Sequence, residues 1–299
     1  MEKITIGTRG SKLALWQAHY TQAELRKHGV EAELQIIKTK GDKIQHLSFD
    51  KIEGKGFFTK EIEEALLRGE IDMAVHSMKD LPTESPEGLC ITAVSYRENP
   101  ADWLVVRRTC VDDKAMLKLK NGAVVGTSSA RRKALMLDFR ADVELKDIRG
   151  NVPTRLAKLQ SGDFDAILLA AAGLTRLEMD LSDFEVFKLN PREFPPAPAQ
   201  GVLAYQARID DKRVRRILQE LHDPHVALCT NVERKILQLI GGGCHAPLGA
   251  YCERDSLGNY HVWAARAETW DGAVCFAKHS SSTHHQLAET VIDSLNSSS

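Results

Sequence analysis

Cys244 stands where a thiol can do covalent chemistry. It follows three glycines in Gly241-Gly242-Gly243-Cys244-His245-Ala246-Pro247. Glycines let backbone approach a large ligand closely, so this thiol is a candidate attachment point or nucleophile. A small hydrophobe packed beneath a turn is the plainer alternative. A carboxylate occupies a second such place. Asp80 lies in Val75-His76-Ser77-Met78-Lys79-Asp80-Leu81-Pro82. Pro82 restricts Leu81 to extended or turn conformations, which puts Asp80 on a strand-end loop. There it can stabilise a cation formed during reaction or move a proton. Capping or salt-bridging alone is the alternative.

Basic and hydroxyl residues gather where strands end and helices begin. In the first lobe-like segment these are Thr8, Arg9, Ser11 and Lys12; in the second, Thr127, Ser128, Ser129, Arg131 and Arg132. Strand ends of open α/β sheets are where ligands bind. Helix N-termini offer N–H groups to anions, and arginine recognises carboxylates bidentately. Lys55, Arg149-Gly150, Arg155 and Arg176 extend the set. Each alone is readily a solvated surface charge. Their joint placement favours an elongated, polyanionic ligand.

The elements that must position these residues follow from periodicity. Residues 4–7 form a short strand, and Ser11 caps a helix running to Gly29. Residues 30–37 alternate as a second strand. Thr59 caps a helix stopped by Gly69, and 72–75 is a buried strand. The pattern recurs: 123–129 leads into a helix over 130–139, a strand follows at 143–148, Pro153 opens a helix ending near Gly162, and 166–170 is a strand. Gly7-Thr8 parallels Gly126-Thr127, and Leu66, Gly69 and Asp72 parallel Leu159, Gly162 and Asp165 with unchanged spacing.

The expected fold class is therefore α/β, with two similar lobes of mixed, mainly parallel sheet with helices, plus a smaller C-terminal α/β domain. The expected division is 1–98 with 197–214, then 99–196, then 215–299 carrying Cys244. Pro195-Pro196-Ala197-Pro198 marks a crossing between lobes, and the strand at 201–207 returns to the first. From residue 230 the expectation is a helix, the glycine loop, strands around 249–251 and 261–263, and a last helix near 286–295.

Bulk composition excludes several functions. The 299 residues are 43% hydrophobic and 27% charged, with a net charge of −1, so no global field favours nucleic acid. No apolar run approaches the roughly 20 residues of a membrane span. The N-terminus enters a strand at once rather than a signal peptide. The six cysteines form no CxxC pair and no metal-ligand spacing, which fits a reduced, cytoplasmic protein without a metal. Gly54-Lys55-Gly56 lacks the glycine and hydroxyl residue of a nucleotide-binding loop.

Together these segments resemble the porphobilinogen deaminase (hydroxymethylbilane synthase) family over nearly the whole chain. The resemblance rests on Arg9-Gly10-Ser11-Lys12-Leu13-Ala14 with Gln17, Gly54 to Phe58, His76 to Pro82, Gly126 to Arg132, Arg149-Gly150-Asn151, and Glu233 to Gly249. Ala246 departs from the β-branched residue usual there. The resemblance implies a fold of three domains, the first two like a type 2 periplasmic binding protein, and a dipyrromethane cofactor held by a thioether to Cys244. Four porphobilinogen molecules would add in turn, each losing ammonia to give an electrophilic azafulvene, before water releases the tetrapyrrole.

In that chemistry Asp80 would bind pyrrole N–H groups, stabilise positive charge and assist proton transfer. Arg9, Lys55, Lys79, Arg131, Arg132, Arg149, Arg155 and Arg176 would counter the acetate and propionate groups. Ser11, Gln17, Ser77, Thr127, Ser128, Ser129 and Gly150 would line the same site, and Phe58 would pack on a pyrrole ring. The resemblance further implies a cytoplasmic monomer acting on a small molecule. Two competitors stay open: a non-catalytic two-lobed binder of carboxylate ligands, and a cysteine-nucleophile acyl transferase.

Overall fold

The structure, a computed structural model, describes residues 2–39, 59–241 and 246–297. Cys244, Lys55 and Phe58 lie outside them. The chain divides into two compact units, Met1–Glu98 with Gly201–Leu228, and Asn99–Gln200 with Cys229–Ser299.

In chain order the first unit opens with β1 (Glu2–Thr8), α1 (Lys12–Lys27), β2 (Val30–Ile36), α2 (Lys60–Leu67), β3 (Met73–Ser77) and β4 (Leu89–Val94). The second begins with β5 (Asp102–Arg107), β6 (Val124–Gly126), α3 (Ala130–Phe139), β7 (Glu144–Lys146), α4 (Val152–Gln160), β8 (Ala166–Ala170), α5 (Ala171–Arg176) and β9 (Phe184–Lys188). The chain then returns to the first unit with β10 (Leu203–Arg208) and α6 (Lys212–Gln219). The remaining elements are α7 (Pro224–Ile240), β11 (Leu248–Arg254), β12 (Tyr260–Arg266), β13 (Cys275–Ser281) and α8 (Leu287–Ser297).

The two large sheets share one topology. Their orders are β2-β1-β3-β10-β4 and β7-β6-β8-β5-β9. In each, one strand (β10 or β5) runs against the other four. Each sheet is thus mixed and mainly parallel, as expected. The equivalence extends to single hydrogen bonds. Asp72 accepts from the Thr5 N–H at 2.7 Å, and Asp165 accepts from the Val124 N–H at 2.9 Å. Gly69 and Gly162 end their helices at φ +71° and +91°, a left-handed conformation that glycine adopts without steric cost. Even the countercharge repeats: Arg208, the last residue of β10, approaches Asp72, and Arg107, the last of β5, binds Asp165 at 2.8 Å.

Burial follows the pleat. Ile4, Ile6, Met73, Val75, Leu203 and Tyr205 form the first unit's main core. Leu104, Val106, Val125, Ala166 and Leu168 form the equivalent core in the second. The third sheet, β11-β12-β13, is wholly antiparallel and belongs to the second unit.

Several local expectations change. Thr59 does not cap α2: its φ/ψ is helical, and its hydroxyl donates to Glu63 at 3.2 Å instead. The strand expected at 143–148 shortens to Glu144–Lys146. Strands β4, β5, β9 and β13 were absent from the sequence reading. Among the described residues no helix is long and apolar enough to cross a membrane, and no cluster of His, Cys, Asp and Glu is suited to a metal ion.

Candidate active site

In the first unit the strand-end residues come from β1, α1 and β3. Ser11 caps α1, its hydroxyl accepting from the Ala14 N–H at 3.3 Å. This cap satisfies one of the free donors at the helix start. Thr8, fully buried, donates to the Ala14 carbonyl at 3.1 Å and ties the strand end to the same turn. Gln17, also buried, donates to the Ser77 hydroxyl at 2.9 Å, joining α1 to the end of β3. Met78–Asp80 then forms one 3-10 turn. The Met78 N–H donates to the Val202 carbonyl, and the Leu81 N–H to the Met78 carbonyl. Asp80 is exposed at the end of this pinned turn, and Lys79 and Arg9 are half-buried. Asp80 neither caps a helix nor enters an ion pair among the described residues.

Three buried polar residues link α2, β10 and β3, the strand that leads into that turn. His76 Nε2 is 3.1 Å from Gln206 Oε1, and Gln206 Nε2 donates to Glu63 at 3.2 Å. Burial pushes the His76 imidazole down to about 4; the Gln206 contact opposes this, and the charge of Arg9 adds to it.

In the second unit the equivalent turn joins β6 to α3. Ser129 caps α3, accepting from the Arg132 N–H at 3.4 Å. The buried Thr127 accepts from the Ser129 N–H at 3.3 Å. Ser128 donates to the Ile148 carbonyl and accepts from its N–H, at 2.9 and 3.1 Å, which brings the strand end beside Arg149. Gly150 has φ +114°, and a Cβ there would meet Thr154 at 2.6 Å. This backbone presents the Gly150 carbonyl to Arg155 Nε at 2.8 Å. Arg176, at the end of α5, is buried, and Arg149 is half-buried.

Arg131 and Arg132 are not surface charges. Both are buried, and both bind Asp102, which is fully buried, at 2.7 Å. Gln200 donates to the same carboxylate at 2.9 Å. Burial alone would raise the Asp102 pKa, but the two guanidinium groups outweigh it and hold the carboxyl well below its usual range. Two cations therefore share one anion.

Sequence reasoning missed Asp102, Gln200, Glu63 and Gln206, and gave Glu233 no role beyond opening the loop pattern. Glu233, fully buried on α7, accepts from the N–H groups of Ala199 and Cys252, at 2.6 and 2.7 Å. It fastens the helix preceding Cys244 to β11, which follows it. Gly249 backs onto the same place: a Cβ there would lie 2.2 Å from the Pro195 carbonyl oxygen. The available signal was charge inside an apolar segment, as for Asp102 before Trp103-Leu104-Val105-Val106.

The donor set fits a polycarboxylate. The surplus positive charge of the Arg131–Arg132–Asp102 cluster is buried, and Arg132 Nε has no acceptor among the described residues. A buried charge without a counterion is costly, so an anionic group is the natural complement.

A family model described as "Porphobilinogen deaminase, dipyromethane cofactor binding domain" matches residues 4–216, which include Asp80 and both strand-end clusters. A porphobilinogen deaminase of Maridesulfovibrio salexigens is 48% identical over 258 residues, covering 86% of this chain and 82% of the relative. One from Oceanobacillus iheyensis is 44% identical, covering 85% and 82%. Among solved structures, a probable amino-acid ABC transporter extracellular-binding protein of Bacillus subtilis superposes with a TM-score of 0.44 at 14% identity, covering 74% of this chain and 91% of that one.

Proposed function

The chain belongs to the porphobilinogen deaminase family, and on that premise we propose that it condenses four porphobilinogen molecules head to tail, with loss of ammonia. The condensation takes place on a covalently held dipyrromethane, and hydrolysis releases hydroxymethylbilane. The dipyrromethane, when bound, supplies the pyrrole carbon at which elongation proceeds. Cys244 holds it as a thioether, at the glycine loop between α7 and β11. Glu233 and Gly249 fix the two flanks of that loop.

The remaining chemistry falls to the side chains. Breaking the aminomethyl C–N bond of porphobilinogen leaves positive charge on its ring. Asp80 stabilises that charge, accepts pyrrole N–H groups and moves the proton displaced when the new C–C bond forms. Arg131 and Arg132 lend their shared surplus charge to an acidic side chain. Arg9, Lys55, Lys79, Arg149, Arg155 and Arg176 serve the other carboxylates, Ser11, Gln17, Ser77, Thr127, Ser128, Ser129 and Gly150 line the site, and Phe58 packs on a ring. In this reading the enzyme is a cytoplasmic monomer of three domains, with 215–299 as the third and no nucleic-acid partner.

The observation that carries the reading is the difference between two like strand ends. Both units cap a helix beside hydroxyl and basic groups, but only the first follows its third strand with a carboxylate turn, Met78–Asp80. An exposed carboxylate among the basic residues of these strand ends suits a reaction that makes a cation from a polyanionic substrate. Incubation with porphobilinogen tests it: the account requires ammonia release in step with tetrapyrrole formation. Bound porphobilinogen recovered unchanged would favour the carboxylate-binding alternative.

A further inference from the structure

The two units allow a comparison within one chain. The strand registers align Gln206 with Val105 and His76 with Leu169: Gln206 pairs with Ala74, Val105 with Ile167, and Ala74 and Ile167 follow Asp72 and Asp165 at the same distance. The spacing of Leu66 and Leu159 aligns Glu63 with Leu156. In the second unit Leu156, Val105 and Leu169 belong to one apolar cluster. In the first, the same three places hold Glu63, Gln206 and His76, with relative exposures of 7%, 1% and 7%. The fold can therefore be built with hydrocarbon at these positions. A polar set there costs desolvation and gives no evident stability in return.

A satisfied buried network does fix orientation. Glu63 accepts from Thr59 and from Gln206 Nε2. With its nitrogen committed to Glu63, Gln206 turns its oxygen to His76, so His76 Nε2 must carry the hydrogen. One tautomer and one ring orientation result. His76 directly precedes Ser77 and the Met78–Asp80 turn. The corresponding residues of the second unit, Ala170-Ala171-Ala172-Gly173, enter a helix and carry no carboxylate. The polar chain and the carboxylate turn thus occur together in one unit and are both missing from the other.

We propose that Glu63, Gln206 and His76 are positioning residues that hold the Asp80 turn in its working geometry. The proposal rests on the role given to Asp80. A misplacement of about 1 Å at such a group can cost about 100-fold in rate, so the supporting residues matter without touching substrate.

The test transplants the other unit's residues: a Glu63→Leu, His76→Leu, Gln206→Val triple variant. It should fold, keep its covalent adduct by intact mass, hold KM within about threefold, and lose kcat by about 10- to 100-fold. His76→Gln, whose amide can still donate to Gln206, should restore kcat to within about threefold of wild type. A folded triple variant with wild-type kcat overturns the proposal. Should the triple variant not fold, the 15N shifts of His76 in the wild-type holoenzyme decide. Hydrogen on Nε2 from pH 5.5 to 8 supports the chain, on the order of two pH units of constancy, and hydrogen on Nδ1 overturns it. Undiminished turnover in Asp80→Asn would sink the premise while leaving the tautomer result standing.

Discussion

Replacing His76 by glutamine should remove an acid-side loss of stability that this one imidazole imposes on the first unit. Its pKa falls from an ordinary 6.5 to about 4, with burial as the main cause. The unfolded chain takes up a proton as pH drops through 6.5, while the folded chain refuses it until about 4. Stability is therefore intact above pH 6.5 and declines as pH falls toward 4. The full decline is about 3 kcal/mol, of which about 2 kcal/mol is lost by pH 5. Glutamine keeps a donor toward Gln206 and does not titrate. Amide hydrogen exchange in β3 and β10 reads the local opening free energy directly. Between pH 7.5 and 5 the wild type should lose about 2 kcal/mol more than His76→Gln, on the order of the linkage energy above. Parallel curves, within about 0.5 kcal/mol, would refute the claim that this histidine is held neutral.

Other consequences follow from the same geometry. Asp80→Asn should fold and carry the covalent adduct, while turnover falls by about 10²- to 10³-fold, as for loss of a preorganised charge stabiliser; steady-state kinetics beside intact mass checks this. Asp102→Asn leaves two buried guanidinium groups without their shared anion and should cost about 3–5 kcal/mol in chemical denaturation. Arg131→Leu leaves one cation on one anion and should cost less, so the order of the two variants tests the charge count. Gly249→Ala drives a methyl group into the Pro195 carbonyl and should markedly lower the melting temperature, whereas Gly29→Ala, with open space but φ +74°, should cost only about 1 kcal/mol.

Much of the architecture was legible because local chemistry dictated it. Ser11 caps a helix since a hydroxyl before an apolar-periodic segment satisfies a free N–H. The repeat showed in Gly7 and Gly126, where a neighbouring Ile71 or Phe164 leaves no room for a Cβ. What stayed hidden depends on distant partners. Gln206 meets Glu63 across 143 residues, and Asp102 meets Arg131 across 29; no spacing rule links them. Nor could spacing show that Asp102 holds Arg131 and Arg132 in the interior, where they keep a surplus positive charge. β9 and β13 escaped notice because each pairs on one side only, so few of their side chains are buried. Thr59 looked like a cap from its type, but Glu63 offered its hydroxyl a competing acceptor one turn on.

The central claim is a covalent primer on the Cys244 sulfur, and intact mass of freshly purified protein addresses it most directly. The account predicts a wild-type mass raised by one dipyrromethane, a further rise by discrete pyrrole units on brief exposure to porphobilinogen, and no such adduct in Cys244→Ser. A fully active wild-type chain at its bare polypeptide mass would contradict it.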